Sequence, residues 1–286
     1  MRVELDQNTT EWLEFRKNRI GASDASVIMG ASPWKTPLEL WKEKIGLQEE
    51  SYTSMAMQAG KDLEEIARPI VSNVLNCDFK PAVYVHDEYN WMMASLDGID
   101  PTGKVAIEIK KANKIDHEGT KEGKIPKKYY PQLQTQMEVQ HLDRIFYCSF
   151  LSEDDYTITP VERDDDYIFS LKEKLKDFHE CMVNFIAPKL SEKDFVSMEG
   201  EDNWKHECEK WLLATKQIKE FEAIEKEARK NLIKMAGQSN CKGHGLKVTK
   251  VLTKGRIDYE KAVEGLSIDL ERHRKPPIES WRFSND

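Results

Sequence analysis

The chain has 286 residues, 39% of them hydrophobic, and a formal net charge of -8 at pH 7. This length allows one large domain or two smaller ones, and the acidic balance argues against a protein that coats nucleic acid through bulk charge. No apolar run approaches the ~20 residues of a membrane span and Met1–Asp6 lacks the apolar core of a signal peptide, so we expect a cytoplasmic protein. The five scattered cysteines show no C-x-x-C spacing, which predicts reduced thiols rather than disulfides or a zinc site.

Near the N terminus, the sequence TEWLEFRKNRIGASDASVIM predicts two short helices, the first ended by Gly21 and the second capped by Ser23 or Asp24. A helix N-terminus beside a hydroxyl group is a ready phosphate site. The guanidinium groups of Arg16 and Arg19 can add bidentate contacts to that phosphate. The alternative is that Ser23 only caps its helix and that both arginines only solvate theirs.

A loop and two helices are predicted next. The loop sequence ASPWKTP precedes an amphipathic helix that stops at Gly46, and a longer helix covers residues 55–75 with an interruption or kink at Pro69. Trp34 and Trp41 can stack on or wedge into DNA bases, or they can simply pack against the protein.

A predicted strand over residues 79–86 leads into the sequence WMMASLDGIDPTGKVAIEIKKA, which predicts a β-hairpin. Its two apolar runs flank the turn sequence DPTG, in which proline and glycine suit a β-turn. Side chains alternate faces along a strand, so Glu108 and Lys110 share one face. Asp97 lies near the turn end of the first strand, where pairing can bring its carboxylate close to Glu108.

Two carboxylates and a lysine on one face suit a hard divalent cation. Mg²⁺ takes carboxylate and carbonyl oxygens and keeps waters that a phosphate can replace. Lys110 can then orient a water or stabilise charge on the phosphate. The alternative is a surface hairpin on which Glu108 and Lys110 merely pair across solvent.

The rest of the first domain is predicted to contain further helices and strands, and Pro188 marks its boundary. The elements predicted after the hairpin are a basic loop over 110–128, a helix over 129–142, strands over 143–150 and 156–161, and a helix over 167–185. The predicted domains are 1–190 and a helical C-terminal extension over 195–286. The extension comprises a long helix over 204–235, a strand over 246–252 that can pair with 255–259, and a basic tail around 272–275.

Four motifs occur in order along the chain: W-x-x-x-R-x6-S, G-x-x-x-E, D-G followed by E-I-K, and Q-L-Q. Together they resemble the YqaJ-type, lambda-exonuclease-like phage recombination nucleases of the PD-(D/E)XK superfamily, over roughly residues 10–185. Leu96 stands where that superfamily motif has proline, which leaves the three chemical groups in place. The resemblance implies an α/β fold, a restriction-endonuclease-like core in which a central mixed β-sheet is flanked by helices.

The resemblance also implies roles for the matched residues. Arg16 and Ser23 hold the terminal 5′-phosphate of a DNA strand. Glu64 faces the metal site, although its spacing fits an exposed helix acid equally well. Helical geometry prevents all three glutamines of the QLQTQ sequence from facing the site, and the position in the motif favours Gln134. The implied metal ligands are Asp97, Glu108, Glu64 and the backbone carbonyl of Ile109.

The activity that this family implies is Mg²⁺-dependent digestion of one strand of duplex DNA from its 5′ end, with Mn²⁺ as a substitute metal. The exposed 3′ strand then passes to a single-strand annealing protein, and a ring of subunits encircles the DNA. The alternatives are a metal-dependent endonuclease, which would lack the end clamp, and a non-catalytic phage DNA-binding protein.

Overall fold

The computed structural model describes residues 1–48, 55–256, 258 and 261. The chain divides into two compact units, Met1–Phe195 and Val196–Asp286. Among the described residues, no helix combines the length and the apolar character that crossing a membrane requires.

The first unit is a mixed β-sheet flanked by helices, which confirms the predicted fold class. Its strands are β1 (Arg2–Val3), β2 (Ile20–Gly21), β3 (Lys80–Val85), β4 (Met92–Ile99), β5 (Ala106–Lys111), β6 (Arg144–Phe150) and β7 (Tyr156–Glu162). Its α-helices are α1 (Thr10–Lys17), α2 (Ala22–Ile28), α3 (Pro37–Lys44), α4 (Met55–Leu75), α5 (Lys114–Lys121), α6 (Tyr130–Gln140) and α7 (Asp165–Val183). The strand order is β1-β3-β4-β5-β6-β7, with β2 pairing on β4; the β2–β4 and β5–β6 pairs are parallel and the others antiparallel.

The predicted hairpin is formed by β4 and β5. Gly98 pairs with Ile107, and the amide of Gly103 closes the turn by donating to the carbonyl of Asp100 at 3.0 Å. Gly103 has a φ of +72°, a left-handed conformation that glycine adopts without strain. The hairpin therefore has the predicted turn and the predicted alternation of faces.

The core lies on both faces of the sheet. One apolar cluster joins Ala106 of β5 to α2, α6 and α7, and a second joins Ile107 and Ile109 to α4. Because consecutive β5 side chains alternate, burying Ile107 and Ile109 against α4 turns Glu108 and Lys110 toward the opposite side, where α6 lies.

The basic segment that follows β5 is not the loop expected from its lysines and glycines. It contains α5, which Asn113 caps by accepting a hydrogen bond from the amide of Asp116 at 2.9 Å. His117 and Thr120 are buried, and Gly119 lies within the helix. Burial of these two side chains stabilises a helix that the local sequence does not favour.

The second unit contains α8 (Asp202–Ala236), a single helix of 35 residues that Gly237 ends, as predicted. Leu246–Val248 (β9) pairs with Cys241–Gly243 (β8), so the strand turns back on the segment that precedes it. Residues 257 and 259 of the expected partner segment, 255–259, and the basic tail around 272–275, lie outside the described residues.

Candidate active site

A pocket of about 170 Å³ lies over the hairpin. It brings together six of the residues that the motifs identify: Arg16, Ser23, Glu64, Asp97, Glu108 and Lys110. The other residues that line it are Gln7, Trp12, Gly21, Ala22, Met93, Ser95 and Gln132. The sequence motifs, scattered over about a hundred residues, therefore converge on one cavity.

We call the part of the pocket lining formed by Glu64, Asp97, Glu108 and Lys110 the floor. Hydrogen bonds to its side chain and backbone hold Asp97 in this floor. Its Oδ2 accepts a hydrogen bond from the amide of Ile109 at 2.7 Å, and its own carbonyl accepts one from Arg68 Nε at 2.6 Å. Gly98, which follows it, must be glycine because a Cβ there would lie 2.8 Å from Phe79 and Ile107. In the D-G pair, Asp97 thus supplies the acid, and Gly98 allows the close strand packing that positions it.

Glu108 is 1% exposed, and three side chains contact its carboxylate. Lys110 Nζ lies 2.5 Å from Oε1, Gln132 Nε2 donates to Oε1 at 2.5 Å, and Gln136 Nε2 donates to Oε2 at 2.6 Å. The charge of Glu108 is therefore compensated by one cation and two amides, which allows a carboxylate to be buried.

The electrostatics of the floor are unbalanced at Asp97. Burial, followed by repulsion from Glu108 and Glu64, raises the pKa of Asp97 well above its ordinary value. Burial alone would lower the pKa of Lys110, but attraction to Glu108 and Asp97 outweighs it and the pKa of Lys110 is raised. One lysine does not neutralise the acids around it.

Glu64 of α4 lines the same pocket and is close enough to Asp97 to act on its pKa. This placement favours the site-facing interpretation over an exposed helix acid. Within the described residues, no three His, Cys, Asp or Glu side chains are already arranged as a metal-binding group. Asp97, Glu108 and Glu64 all line the pocket. Both carboxylate oxygens of Glu108 already contact other side chains, those of Lys110, Gln132 and Gln136.

Arg16 of α1 and Ser23 of α2 form a second part of the pocket lining, which we call the wall. The Arg16 guanidinium lies 4.7 Å from the centre of the Trp12 ring, and Trp12 donates through Nε1 to Ser95 Oγ at 3.1 Å. The second helix begins at Ala22, so Ser23 lies in its first turn and does not cap it; its side chain is exposed to the pocket.

Asp24 holds this wall in place, a role that sequence reasoning missed. Its Oδ1 accepts from Arg16 Nη2 at 3.3 Å, and its Oδ2 lies 2.7 Å from Lys44 Nζ and accepts from the amide of Gly21 at 2.9 Å. Burial opposes ionisation of Asp24, but Lys44 and Arg16 outweigh it and the pKa is lowered. The position of Asp24, three residues after Gly21, is a sequence signal for this contact. The sequence does not show that Lys44 is the second partner of Asp24.

Gln134, chosen as the site residue from its motif position, does not line the pocket. Its Nε2 donates to the carbonyl of Glu162 at 3.0 Å, and its Oε1 accepts from the amide of Asp164 at 2.9 Å. Gln132 and Gln136, one turn apart on α6, contact Glu108 instead. The helix therefore uses its outer two glutamines at the site and the middle one to bind the connection between β7 and α7.

Arg19 is also placed away from the pocket. It donates to the carbonyls of Phe15 at 2.8 Å and Asn90 at 3.1 Å, and its guanidinium lies 3.8 Å from the centre of the Phe15 ring. The first helix ends at Lys17, so Arg19 leaves the helical face on which Arg16 lies. The predicted paired-arginine contact is reduced to Arg16 alone.

The sequence and the fold of this chain are similar to those of known proteins. Residues 11–143 match the sequence model of the YqaJ-like viral recombinase domain. The protein YqaJ of Bacillus subtilis is 28% identical over 191 residues, which cover 65% of this chain and 60% of YqaJ. A protein of Acanthamoeba polyphaga mimivirus is 27% identical over 52% of this chain and 29% of its own length. The chain thus spans less than two thirds of the length of these relatives.

The crystal structure of an alkaline exonuclease, LHK-Exo from Laribacter hongkongensis, is also similar. It is 27% identical and superimposes with a TM-score of 0.54 over 62% of this chain and 94% of LHK-Exo. The structure of LHK-Exo in complex with dAMP gives a TM-score of 0.53 over the same shares of both chains. Residues 11–143 of this chain are therefore similar to the YqaJ-like viral recombinase domain, on a fold that the chain shares with an alkaline exonuclease.

Proposed function

We propose that this protein is a metal-dependent exonuclease that digests one strand of linear duplex DNA from its 5′ end. The observation that carries the proposal is the single pocket in which Asp97, Glu108 and Lys110 face Arg16 and Ser23. A reaction centre for phosphodiester hydrolysis and a clamp for a terminal phosphate then lie within one cavity. Its structural neighbour LHK-Exo is an alkaline exonuclease, which supports the same activity.

The donors in the floor fit a hard divalent cation. Asp97, Glu108, Glu64 and the carbonyl of Ile109 would hold it, and all four supply oxygen. The raised pKa of Asp97 marks an excess of negative charge that such a cation would neutralise. When bound, Mg²⁺ or Mn²⁺ polarises the phosphate and lowers the pKa of a coordinated water.

The side chains that line the pocket or contact it have separate roles in this reaction. Lys110, held by Glu108, donates to the reacting phosphate or orients the attacking water. Arg16 supplies charge-assisted hydrogen bonds to the terminal phosphate and Ser23 supplies a hydroxyl. Gln132 and Gln136 keep the Glu108 carboxylate in position.

The proposed preference for phosphorylated ends follows from this clamp, because a terminal phosphate carries more charge than an internal diester and binds better beside Arg16. The proposed 5′ polarity rests on the resemblance to the recombination nucleases. We extend the proposal to the setting that the recombinase family suggests. The protein exposes a 3′ single strand for an annealing protein, and several copies form a ring around the DNA.

The test uses purified protein, Mg²⁺ and three DNA substrates: a linear duplex with 5′-phosphates, the same duplex with 5′-hydroxyls, and a closed circle. We expect fast release of mononucleotides from the phosphorylated duplex, slower release from the hydroxyl duplex, and an intact circle. Cleavage of the circle would indicate an endonuclease. Retention of all three substrates without cleavage would indicate a DNA-binding protein, and either outcome contradicts the proposal.

A further inference from the structure

Two tryptophans near α3 have opposite environments. Trp41 is buried and its Nε1 donates to the carbonyl of Cys181 at 3.0 Å, so it belongs to the core. Trp34, in the loop between α2 and α3, is 69% exposed. Leaving an indole in water forgoes the free energy of its burial, so this ring requires an explanation that Trp41 does not.

The loop that carries Trp34 is fixed by its backbone. The amides of Ala31 and Ser32 both donate to the carbonyl of Ser26 at 2.9 Å, and the amide of Trp34 donates to Ser32 Oγ at 3.2 Å. The exposed ring is therefore presented on an ordered loop, and a ligand that stacks on it would not first have to order the chain.

A row of aromatic and cationic groups connects this ring to the floor of the pocket. Lys110 Nζ lies 5.4 Å from the centre of the Tyr129 ring, and the Tyr129 and Trp34 ring centres are 6.5 Å apart. Lys128 Nζ lies 5.1 Å from the centre of each ring and 2.7 Å from Asp116 Oδ2. The exposed indole is the outer end of this row, and Lys110 is its inner end.

We infer that Trp34 is a stacking platform for a nucleobase of the DNA strand held at the reaction centre, with Lys128 beside that strand's phosphates. The inference rests on the proposed function, because it takes Lys110 as the group at the reacting phosphate. Alternating aromatic rings and cations suit a single strand of nucleic acid, whose bases stack on rings and whose phosphates attract ammonium groups. Every base has a π-face, so such a platform holds DNA of any sequence.

The experiment separates binding from cleavage by using the Asp97→Asn variant with Mg²⁺. The probes are 5′-phosphorylated duplexes that carry 2-aminopurine at each of the first several positions from the 5′ end. At one or two positions, stacking on Trp34 should quench the fluorescence. Adding Trp34→Ala should restore that fluorescence and weaken binding roughly 5- to 150-fold, the range for losing one base–aromatic stack.

Two further variants control for folding and for general loss of surface. Trp34→Phe keeps a ring and should retain part of both the quenching and the affinity. Phe169→Ala removes a side chain on α7 that is 68% exposed and does not line the pocket, and it should change neither. Circular dichroism melting of each variant checks that the fold is retained.

The outcomes distinguish this inference from the proposed function. If the Asp97→Asn chain with Trp34 intact binds no DNA end, the proposed function and the inference both fail. If it binds and Trp34→Ala leaves affinity and fluorescence unchanged, only the stacking role fails. A change in sedimentation mass for Trp34→Ala, with 2-aminopurine fluorescence unaltered, would assign the ring to contacts between copies of the chain and would also overturn the inference.

Discussion

The two sides of the pocket have opposite electrostatic character. The floor places Asp97, Glu108 and Glu64 around a single ammonium group, that of Lys110. The wall presents the guanidinium of Arg16, which shares the buried carboxylate of Asp24 with Lys44, a residue outside the pocket lining. The charged groups that line the floor are thus mostly acidic, and the charged group that the wall contributes to the lining is a cation.

This difference separates two tasks that a DNA nuclease has to perform. An excess of negative charge favours a cation, and an excess of positive charge favours a phosphate. The pKa of Asp97 is raised and that of Asp24 is lowered, although both side chains are buried, because their neighbours differ in sign. Substitutions on the floor should therefore lower the rate of DNA hydrolysis. Substitutions on the wall should change which DNA ends the protein digests.

The largest effect is expected from Asp97→Asn and Glu108→Gln, which remove proposed metal ligands while keeping side-chain size. Digestion of phosphorylated duplex should fall by more than about a thousandfold in each variant. Initial rates of nucleotide release measure this. Substantial Mg²⁺-dependent digestion by either variant would show that the substituted floor residue is not needed for the reaction.

The same Asp97→Asn substitution also tests the raised pKa of Asp97, through its effect on the stability of the folded protein. Because the folded pKa of Asp97 lies above its ordinary value of 3.8, ionising it costs stability as pH rises above that value. In EDTA, Asp97→Asn should therefore raise the melting temperature at pH 7 more than at pH 4. A difference in melting temperature between variant and parent that is no more positive at pH 7 than at pH 4 would contradict the raised pKa.

Lys110→Ala should lower the turnover rate roughly 10²- to 10³-fold with little change in DNA affinity, because its proposed contact is to the reacting phosphate. Lys111→Ala is the matched control, since Lys111 is the next residue on β5 and is exposed outside the pocket. Turnover and dissociation constants are measured separately. A loss of affinity as large as the loss of rate would place Lys110 in the binding surface.

On the wall, Arg16→Ala should reduce digestion of 5′-phosphorylated ends about ten- to a hundredfold, since a charge-assisted hydrogen bond contributes roughly 1.5 to 3 kcal/mol. Digestion of 5′-hydroxyl ends should fall much less. Arg19→Ala is the control, because the structure places Arg19 on backbone carbonyls outside the pocket. An unchanged ratio of the two rates in Arg16→Ala would mean that this wall does not select ends.

The sequence predicted the floor better than the wall for a physical reason. The period of a strand is two, so placing Ile107 and Ile109 in the core determines where Glu108 and Lys110 point. The wall depends on where a helix ends, and α1 stops at Lys17 rather than continuing toward Gly21. Local signals place helix ends poorly, and because α1 ends at Lys17 the side chain of Arg19 lies outside the pocket.

The glutamines of α6 show a second limit. Gln132, Gln134 and Gln136 are all buried, so no polar and apolar faces distinguish them along the helix. Their partners lie on β5 and at the β7–α7 connection, which are distant in sequence. Only the tertiary structure decides which amide reaches Glu108.

The smallest effect is expected from these glutamines, and it tests whether the floor needs its amide contacts. Gln136→Ala removes one of three groups that hold Glu108, and the remaining Lys110 and Gln132 contacts should limit the loss of turnover to about three- to tenfold. Gln134→Ala should leave the turnover of folded protein unchanged. It should instead lower the free energy of unfolding by about 1 to 3 kcal/mol, because two backbone groups at the β7–α7 connection lose their partner. Urea unfolding and single-turnover rates on the same preparations measure both quantities. If Gln134→Ala lowered turnover more than Gln136→Ala at equal folded fraction, the motif position and not the observed contact to Glu108 would identify the functional glutamine.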